Sequence, residues 1–311
     1  MPMHAAAPAR HPTEIAMAMM VLAMMLVPAI DAIAKFLTDT LAPAQIAWAR
    51  FFFQMLFLIP LALRGGRLVQ LADTPLHLLR GVLIALATIC FFTALTVMPL
   101  ADNIAIFFVE PLILSLLAGV LLKEGIGWRR LAAIVVGFAG AMLIVRPSFA
   151  AFGVYALLPL AAATFFAFYL LLTRMLGART DAVMMQVSAG VGGLVTMTLL
   201  LGLGAFVDWP LLAWRTPDAA SWGLLVLLGL VATVAHLLIV QAFRRASAVI
   251  LAPFQYLEIM AAVFWGWLVF ADWPEPTTWL GIAIIVAAGL YVFHRERRRA
   301  LAPLEDREPV R

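Results

Sequence analysis

A single cysteine, Cys90, stands among 311 residues, so the chain has neither an intramolecular disulfide nor a thiol pair for a metal. Charged side chains make up 12% of the sequence, against ~25% in ordinary soluble domains. No glycine-rich loop ends in Lys-Ser or Lys-Thr, so the chain carries no phosphate-cradling ATPase motif. No second histidine stands at ligand spacing from His236, so no metal and no cofactor is expected. Nothing in the sequence points to nucleic acid. What is abundant is apolar: 65% of residues are hydrophobic, more surface than a soluble chain of this size can hide. The solvent must therefore include lipid, and the fold class is an all-α integral membrane protein.

Apolar runs long enough to cross a bilayer lie near 15–36, 44–63, 78–98, 103–122, 130–146, 152–173, 183–207, 219–242, 247–270 and 277–294. Proline, glycine or charge marks every break between these ten runs. The run Ile15–Ile30 imitates a signal peptide, but no small-residue cleavage site follows; Asp31 and Lys35 continue the helical pattern, so it reads as a retained first span. Placing the N-terminus in the cytoplasm puts 17 of the 21 lysines and arginines on the inner side, leaving Lys35, Arg50, Arg146 and Arg215 in the outer half. Both termini are then cytoplasmic. Trp209, Trp214, Trp222, Trp273 and Trp279 would form an outer aromatic belt.

Two of the apolar runs hold a lone carboxylate, Glu110 in the fourth and Glu258 in the ninth, 148 residues apart. The same offset brings Ala94 onto Ala242 and Glu124 onto Asp272. The chain therefore divides into a cytoplasmic tail (1–14), a five-helix repeat (15–147), a second five-helix repeat (148–294) and a basic cytoplasmic tail (295–311). An odd number of spans per repeat inverts the second against the first. Inverted repeats are characteristic of secondary transporters, whose sites lie near the midplane between the halves. An intramembrane carboxylate is costly and marks a functional site by default, here a place for a coupling proton or a cationic group. The alternative is an acid hydrogen-bonded for packing. Pro111, next to Glu110, is expected to loosen the fourth helix there.

Asp31 and Lys35 are one turn apart, and Arg50 lies at about the same depth, so these three are expected to interact as an outer gate, an anchor for an anionic group or a self-neutralising triad. His236 is a weaker candidate, since a lone intramembrane histidine commonly serves packing. Aromatic residues cluster at Phe51–Phe53, Phe91–Phe92, Phe107–Phe108, Phe165–Phe168, Tyr169, Phe254 and Tyr256. Most are expected to face lipid; those beside Glu110 or Glu258, with Tyr256 the candidate, would stack on a flat solute.

Trp48-Ala-Arg50-Phe51 in the second span, Glu110-Pro111 and Glu124 in the fourth, and Gly137 and Gly140 in the fifth resemble the EamA-type members of the drug/metabolite transporter superfamily, over about residues 14–295. That resemblance implies ten helices in two inverted repeats, a bacterial inner-membrane location and alternating access driven by ion or solute gradients. Ile259 stands where the family often has proline, and Asp272 replaces glutamate. The run Asp31-Ala-Ile-Ala-Lys35 with Gln45-Ile-Ala-Trp48-Ala-Arg50 is similar to a branch containing riboflavin and S-adenosylmethionine uptake carriers. The function expected is secondary active transport of a small organic metabolite, riboflavin or another flat or zwitterionic solute, with protons as the expected coupling ion. Export of drugs, amino acids or metallophores in the same fold is the alternative. A membrane-embedded enzyme or a channel fits less well, because no dense catalytic cluster and no repeated filter is visible. Both a monomer and a homodimer remain open.

Overall fold

The computed structural model describes residues 12–64, 74–121, 127–176, 182–207, 209–243, 245–246 and 248–301. These residues form twelve α-helical segments and two single 3-10 turns, with no strand among the described residues. The segments are α1 (Pro12–Leu37), α2 (Pro43–Arg64), α3 (Thr74–Leu95), α4 (Leu100–Phe107), α5 (Glu110–Leu121), α6 (Trp128–Phe152), α7 (Leu158–Leu176), α8 (Ala182–Gly204), α9 (Ala219–Phe243), α10 (Ala248–Gln255), α11 (Leu257–Phe270) and α12 (Pro276–Leu301). Among the described residues, seven helical stretches are long and apolar enough to cross a membrane. The helices are apolar nearly all round because both surroundings, neighbouring helices and lipid, are apolar. Leu199, Val120 and Val135 are 69%, 64% and 61% exposed, an outer surface that only lipid satisfies.

Two expected continuous spans are each broken. The fourth run divides into α4 and α5 at Phe108–Val109, and the ninth into α10 and α11 at Tyr256. Pro111 has no N–H for the Phe107 carbonyl, and the backbone tightens there: Val109 donates to Ile106 O at 3.2 Å. The new helix starts with Leu112 and Ile113 donating to Val109 O at 3.0 and 3.1 Å. Proline therefore opens a second helix rather than bending one, the position where its missing donor costs least.

The packing pairs α6 with α12, α1 with α9, and α3 with α7 and α8. It also sets α2 against α8 and α9, α1 against α11 and α5 against α7. At the α3–α8 crossing the backbones touch: a Cβ built on Gly192 would lie 2.8 Å from Gly81 Cα and 3.2 Å from Leu78 O. Two glycines facing each other permit that approach. The loop before α9 is stapled to the start of α2, where Gln45 Nε2 donates to Arg215 O at 2.7 Å and Oε1 accepts from Arg215 N at 3.0 Å. Asp218 caps α9 by accepting the Ser221 N–H at 2.7 Å, which holds its carboxyl below the usual range.

Trp209, Trp214 and Trp273 are more than half exposed, Trp222 less so, and Trp279 is half-buried against Trp273 at 6.0 Å between ring centroids. The expected lipid-facing aromatic residues mostly turn inward instead: Phe51, Phe53, Phe91, Phe92 and Phe108 are buried. Only large rings fill the gaps that alanine-rich helix faces leave between them.

α11 ends at Ala271, whose φ of 56° places an ordinary residue in the left-handed region. Its N–H returns to Trp267 O at 3.0 Å, and the Asp272 N–H returns to Gly266 O at 3.1 Å. Ala271→Gly is expected to stabilise the protein by about 0.5–1 kcal/mol, because glycine removes the Cβ strain but adds chain entropy. A rise in melting temperature in detergent checks this; an unchanged or lower value counts against a strained cap.

Candidate solute site between two broken helices

Glu110 is the first residue of α5 and Glu258 the second of α11, so each follows a helix break directly. A fresh helix start has unpaired N–H groups and the positive end of the dipole, which makes it a tolerable place for a carboxylate in an apolar bundle. Phe108, in the first break, and Tyr256, in the second, are also 148 residues apart, and their rings meet at 5.8 Å. The two breaks therefore touch.

The remaining candidates gather around them. Glu258 feels the charge of both Asp31 and Glu110. Asp31 lies within the field of the Arg50 guanidinium, and Tyr256 within that of Glu110. His236 also lies within the field of Arg50. His236 donates through Nδ1 to Ala232 O at 2.7 Å, an intrahelical bond that fixes its ring.

Arg50 is held from two sides. Its Nη1 donates to Thr88 Oγ1 at 2.9 Å, and its guanidinium sits 5.2 Å from the Phe51 ring centre. Its buried Nε has no hydrogen-bond partner, and neither has Glu110 Oε1, although Glu110 is only 8% exposed. Orphaned buried polar atoms in native structures call for an explanation, and a missing ligand is one.

Lys35 departs from the expected triad. It does not turn to Asp31; its Nζ donates to Asp272 Oδ2 at 2.9 Å and to Met98 O at 2.8 Å, and packs over the Phe270 ring. Lys35 is in the last turn of α1, where a long stem reaches the carbonyls and acids of neighbouring loops, while Asp31 is a turn deeper. Close by, Asp102 Oδ1 accepts from Thr278 Oγ1 at 2.9 Å. This end of the bundle is laced shut. Toward the other end a cavity of ≈ 190 Å³ is lined by Tyr256, Gln255, Arg130 and Arg174 among others. Glu124 lies outside the described residues.

Two residues escaped sequence reasoning: Thr88 anchors Arg50, and Asn103 is fully buried with its Oδ1 unpaired. Tyr169, one of the clustered aromatic residues, packs 4.9 Å from the buried Arg80 guanidinium. Asn103 carried a readable signal, an amide inside an apolar run. Among the described residues no three His, Cys, Asp or Glu side chains converge to hold a metal ion.

The apolar helices make this a multi-pass membrane protein, and the family and relatives it matches are transporters rather than enzymes. The chain belongs to the EamA-like transporter family, whose model matches residues 14–146 and again 153–293. It is 31% identical over 287 residues to a riboflavin transporter of Rhizobium johnstonii, covering 91% of this chain and 92% of that one. It is 26% identical over 269 residues to an S-adenosylmethionine uptake transporter of Rickettsia bellii, covering 86% and 89%. A solved crystal structure of another protein shares the fold, with a TM-score of 0.62 at 19% identity over 94% of this chain and 99% of the other.

Proposed function

We propose that this protein is a secondary active transporter that moves a small organic metabolite across the bacterial inner membrane by alternating access, with ten spans arranged as two inverted five-helix repeats. The observation that carries the reading is the pair of broken helices, touching at Phe108 and Tyr256, each placing a carboxylate at a new helix start. Discontinuous helices at the bundle centre are the usual architecture of carrier sites. The packing supports two related halves: exchanging α1 with α7, α2 with α8, α3 with α9, α4–α5 with α10–α11 and α6 with α12 maps α1–α9 onto α7–α3 and α1–α11 onto α7–α5. The twofold family match supports the same division. Both termini lie in the cytoplasm, on the side of Arg130 and Arg174, by the distribution of basic residues. The solute is a flat or zwitterionic metabolite, a reading favoured by the aromatic rings beside the carboxylates and by the names of the relatives.

Glu110 is the coupling residue of this reading: it is buried, its Oε1 has no hydrogen-bond partner, and it follows directly on the first helix break. Glu110→Gln is expected to abolish gradient-driven accumulation of riboflavin or S-adenosylmethionine in proteoliposomes while leaving a folded, inserted protein. Counterflow of labelled solute by the parent protein separates a carrier from a channel. An unchanged accumulation and pH dependence in the glutamine variant would reduce Glu110 to a packing residue.

A further inference from the structure

Away from the broken helices, α6 and α12 leave a recess of ≈ 470 Å³ on the lipid-facing surface, lined by Trp128, Arg129, Ala132, Val136, Ala287 and Tyr291 among others. Glycine holds the two helices close: a Cβ on Gly281 would lie 2.8 Å from Gly140 O, and one on Gly137 3.2 Å from Ala288 Cβ. Toward the start of α6 the facing residues are alanines, too short to fill the groove beside that contact. The lining residues recur every three or four positions on both helices, so each helix turns one stripe to the recess. From Val136 to Arg129 the groove runs roughly 10 Å, at 1.5 Å per residue. Trp128, Val136 and Tyr291 are exposed.

The groove is apolar, but its mouth is cationic. Arg129 lines it, with the guanidinium 5.4 Å from the Trp128 ring centre. Arg130, the next residue, turns inward and donates through Nη2 to Ser115 O at 2.8 Å. On α12, Arg295 follows Tyr291 by one turn on the same face, and its buried Nε has no hydrogen-bond partner among the described residues. Among the described residues no acid lines the recess. Under the topology proposed above, this mouth lies at the cytoplasmic surface of the bilayer.

We propose, resting on that topology, that the recess binds one anionic phospholipid of the cytoplasmic leaflet, with an acyl chain in the α6–α12 groove and the phosphate at Arg129 and Arg295. Any acyl chain suits the groove, because lipid tails are as apolar as its walls. Charge selects the headgroup. A phosphate offers a guanidinium two parallel acceptors, and only a net negative headgroup compensates both arginines. Phosphatidylcholine has the same phosphate but brings its own cation beside it. Trp128 is placed as interfacial tryptophans are, at headgroup depth. A second copy of the chain fits less well, since a twofold contact through this face sets its arginines against their own equivalents. The bound lipid touches both α6 and α12, the last helices of the two family-matched segments.

The test is native mass spectrometry of the full-length protein in a mild non-ionic detergent. The probes are phosphatidylglycerol and phosphatidylcholine with identical chains, and one phosphatidylglycerol per protomer should be retained in preference. An arginine near a membrane surface is worth about fivefold in affinity for an anionic lipid, so Arg129→Gln and Arg295→Gln should each lower phosphatidylglycerol retention by that factor. Retention of phosphatidylcholine should hardly change in either variant. Ala287→Phe fills the groove and keeps both arginines, and should lower retention of both lipids. Arg245→Gln, at an exposed arginine after α9, should change nothing. Glycerol 3-phosphate, a headgroup without chains, should not displace the lipid. Equal retention of the two lipids by the parent, an equal loss in Arg245→Gln, or full retention in Ala287→Phe each overturns the site. A dimer that survives delipidation and disappears in Ala287→Phe would give the groove to a second copy and overturn it too. Retention in detergent has no sidedness, so the topology is tested apart, by reporter fusions after Arg67 and Arg299. A periplasmic signal from either would overturn the topology and the leaflet with it, whatever the lipid result.

Discussion

Gly81→Val is expected to remove folded protein almost completely. The Cβ of a residue at 81 would overlap Gly192 Cα and stand 2.7 Å from the Gly192 carbonyl carbon. These are backbone atoms, with no rotamer to move aside, so α3 and α8 must separate. Overpacking by single methylenes in a filled core costs ~1–3 kcal/mol, and valine adds three carbons against main chain. The displacement also reaches Arg80, the next residue, which is 1% exposed. Its Nε donates to Thr173 Oγ1 at 2.9 Å and its Nη1 to Met185 O at 3.3 Å, so it spans α3, α7 and α8. Breaking the partners of a buried charge typically costs ~3–5 kcal/mol. Two turns along the same helix, Thr88 would carry the anchor of Arg50 away with it. Gly202→Val on α8 is the control, because a Cβ there meets nothing within 4 Å. Size-exclusion profiles of fluorescent fusions should show a lost monodisperse peak for Gly81→Val and an intact one for Gly202→Val. Equal profiles would mean that the α3–α8 contact is not as close as drawn.

The membrane class and the position of the carboxylates were legible in the sequence for one reason: a charge in an apolar run stands out at any distance from its partners. Glu110, Glu258, Asp31 and Arg50 stood out that way, and the fold puts Glu110 and Glu258 each just after a helix break. The helix breaks were not legible. Pro111 marked the neighbourhood of the first, yet the backbone opens at Phe108–Val109, and Tyr256 breaks the second with no proline beside it. The match between Phe108 and Tyr256 was present in the offset of 148, but a phenylalanine facing a tyrosine carries no weight until both are seen at breaks. Lys35 was assigned to Asp31 by helical spacing. Its partner Asp272 is 237 residues away, and only the packing of α1 against α11 decides between them. Side-chain pairs within a helix are weak, about 0.2–0.5 kcal/mol, so a tertiary partner overrides them readily. Aromatic residues were expected at the lipid because composition does not say which face of a helix is filled; burial of Phe51, Phe53 and Phe92 follows from the volume left beside alanine-rich neighbours.

Lys35→Met is expected to release the end of the bundle that the structure shows laced. The ammonium joins the last turn of α1 to Asp272 in the α11–α12 loop and to the Met98 carbonyl before α4, and it lies 4.9 Å from the Phe270 ring centre. Under the proposed topology this is the outer end, and alternating access requires these contacts to break once per cycle. Lys35 and Asp272 keep 17% and 31% side-chain exposure, so water screens the pair and the fold should tolerate its loss. A net contribution of about 1.4 kcal/mol to the closed state, within the range usual for an intramolecular hydrogen bond, shifts the open population about tenfold. The readout is labelling by a membrane-impermeant maleimide of a cysteine placed at Ala101, which is 1% exposed, in a Cys90→Ser background. Labelling in Lys35→Met and in Asp272→Asn should rise about tenfold over the parent. The exchanged pair, Lys35→Asp with Asp272→Lys, should return labelling toward the parent value, which loss of a merely structural contact would not do. Unchanged labelling in both single variants would show that the ion pair does not hold the outer end closed.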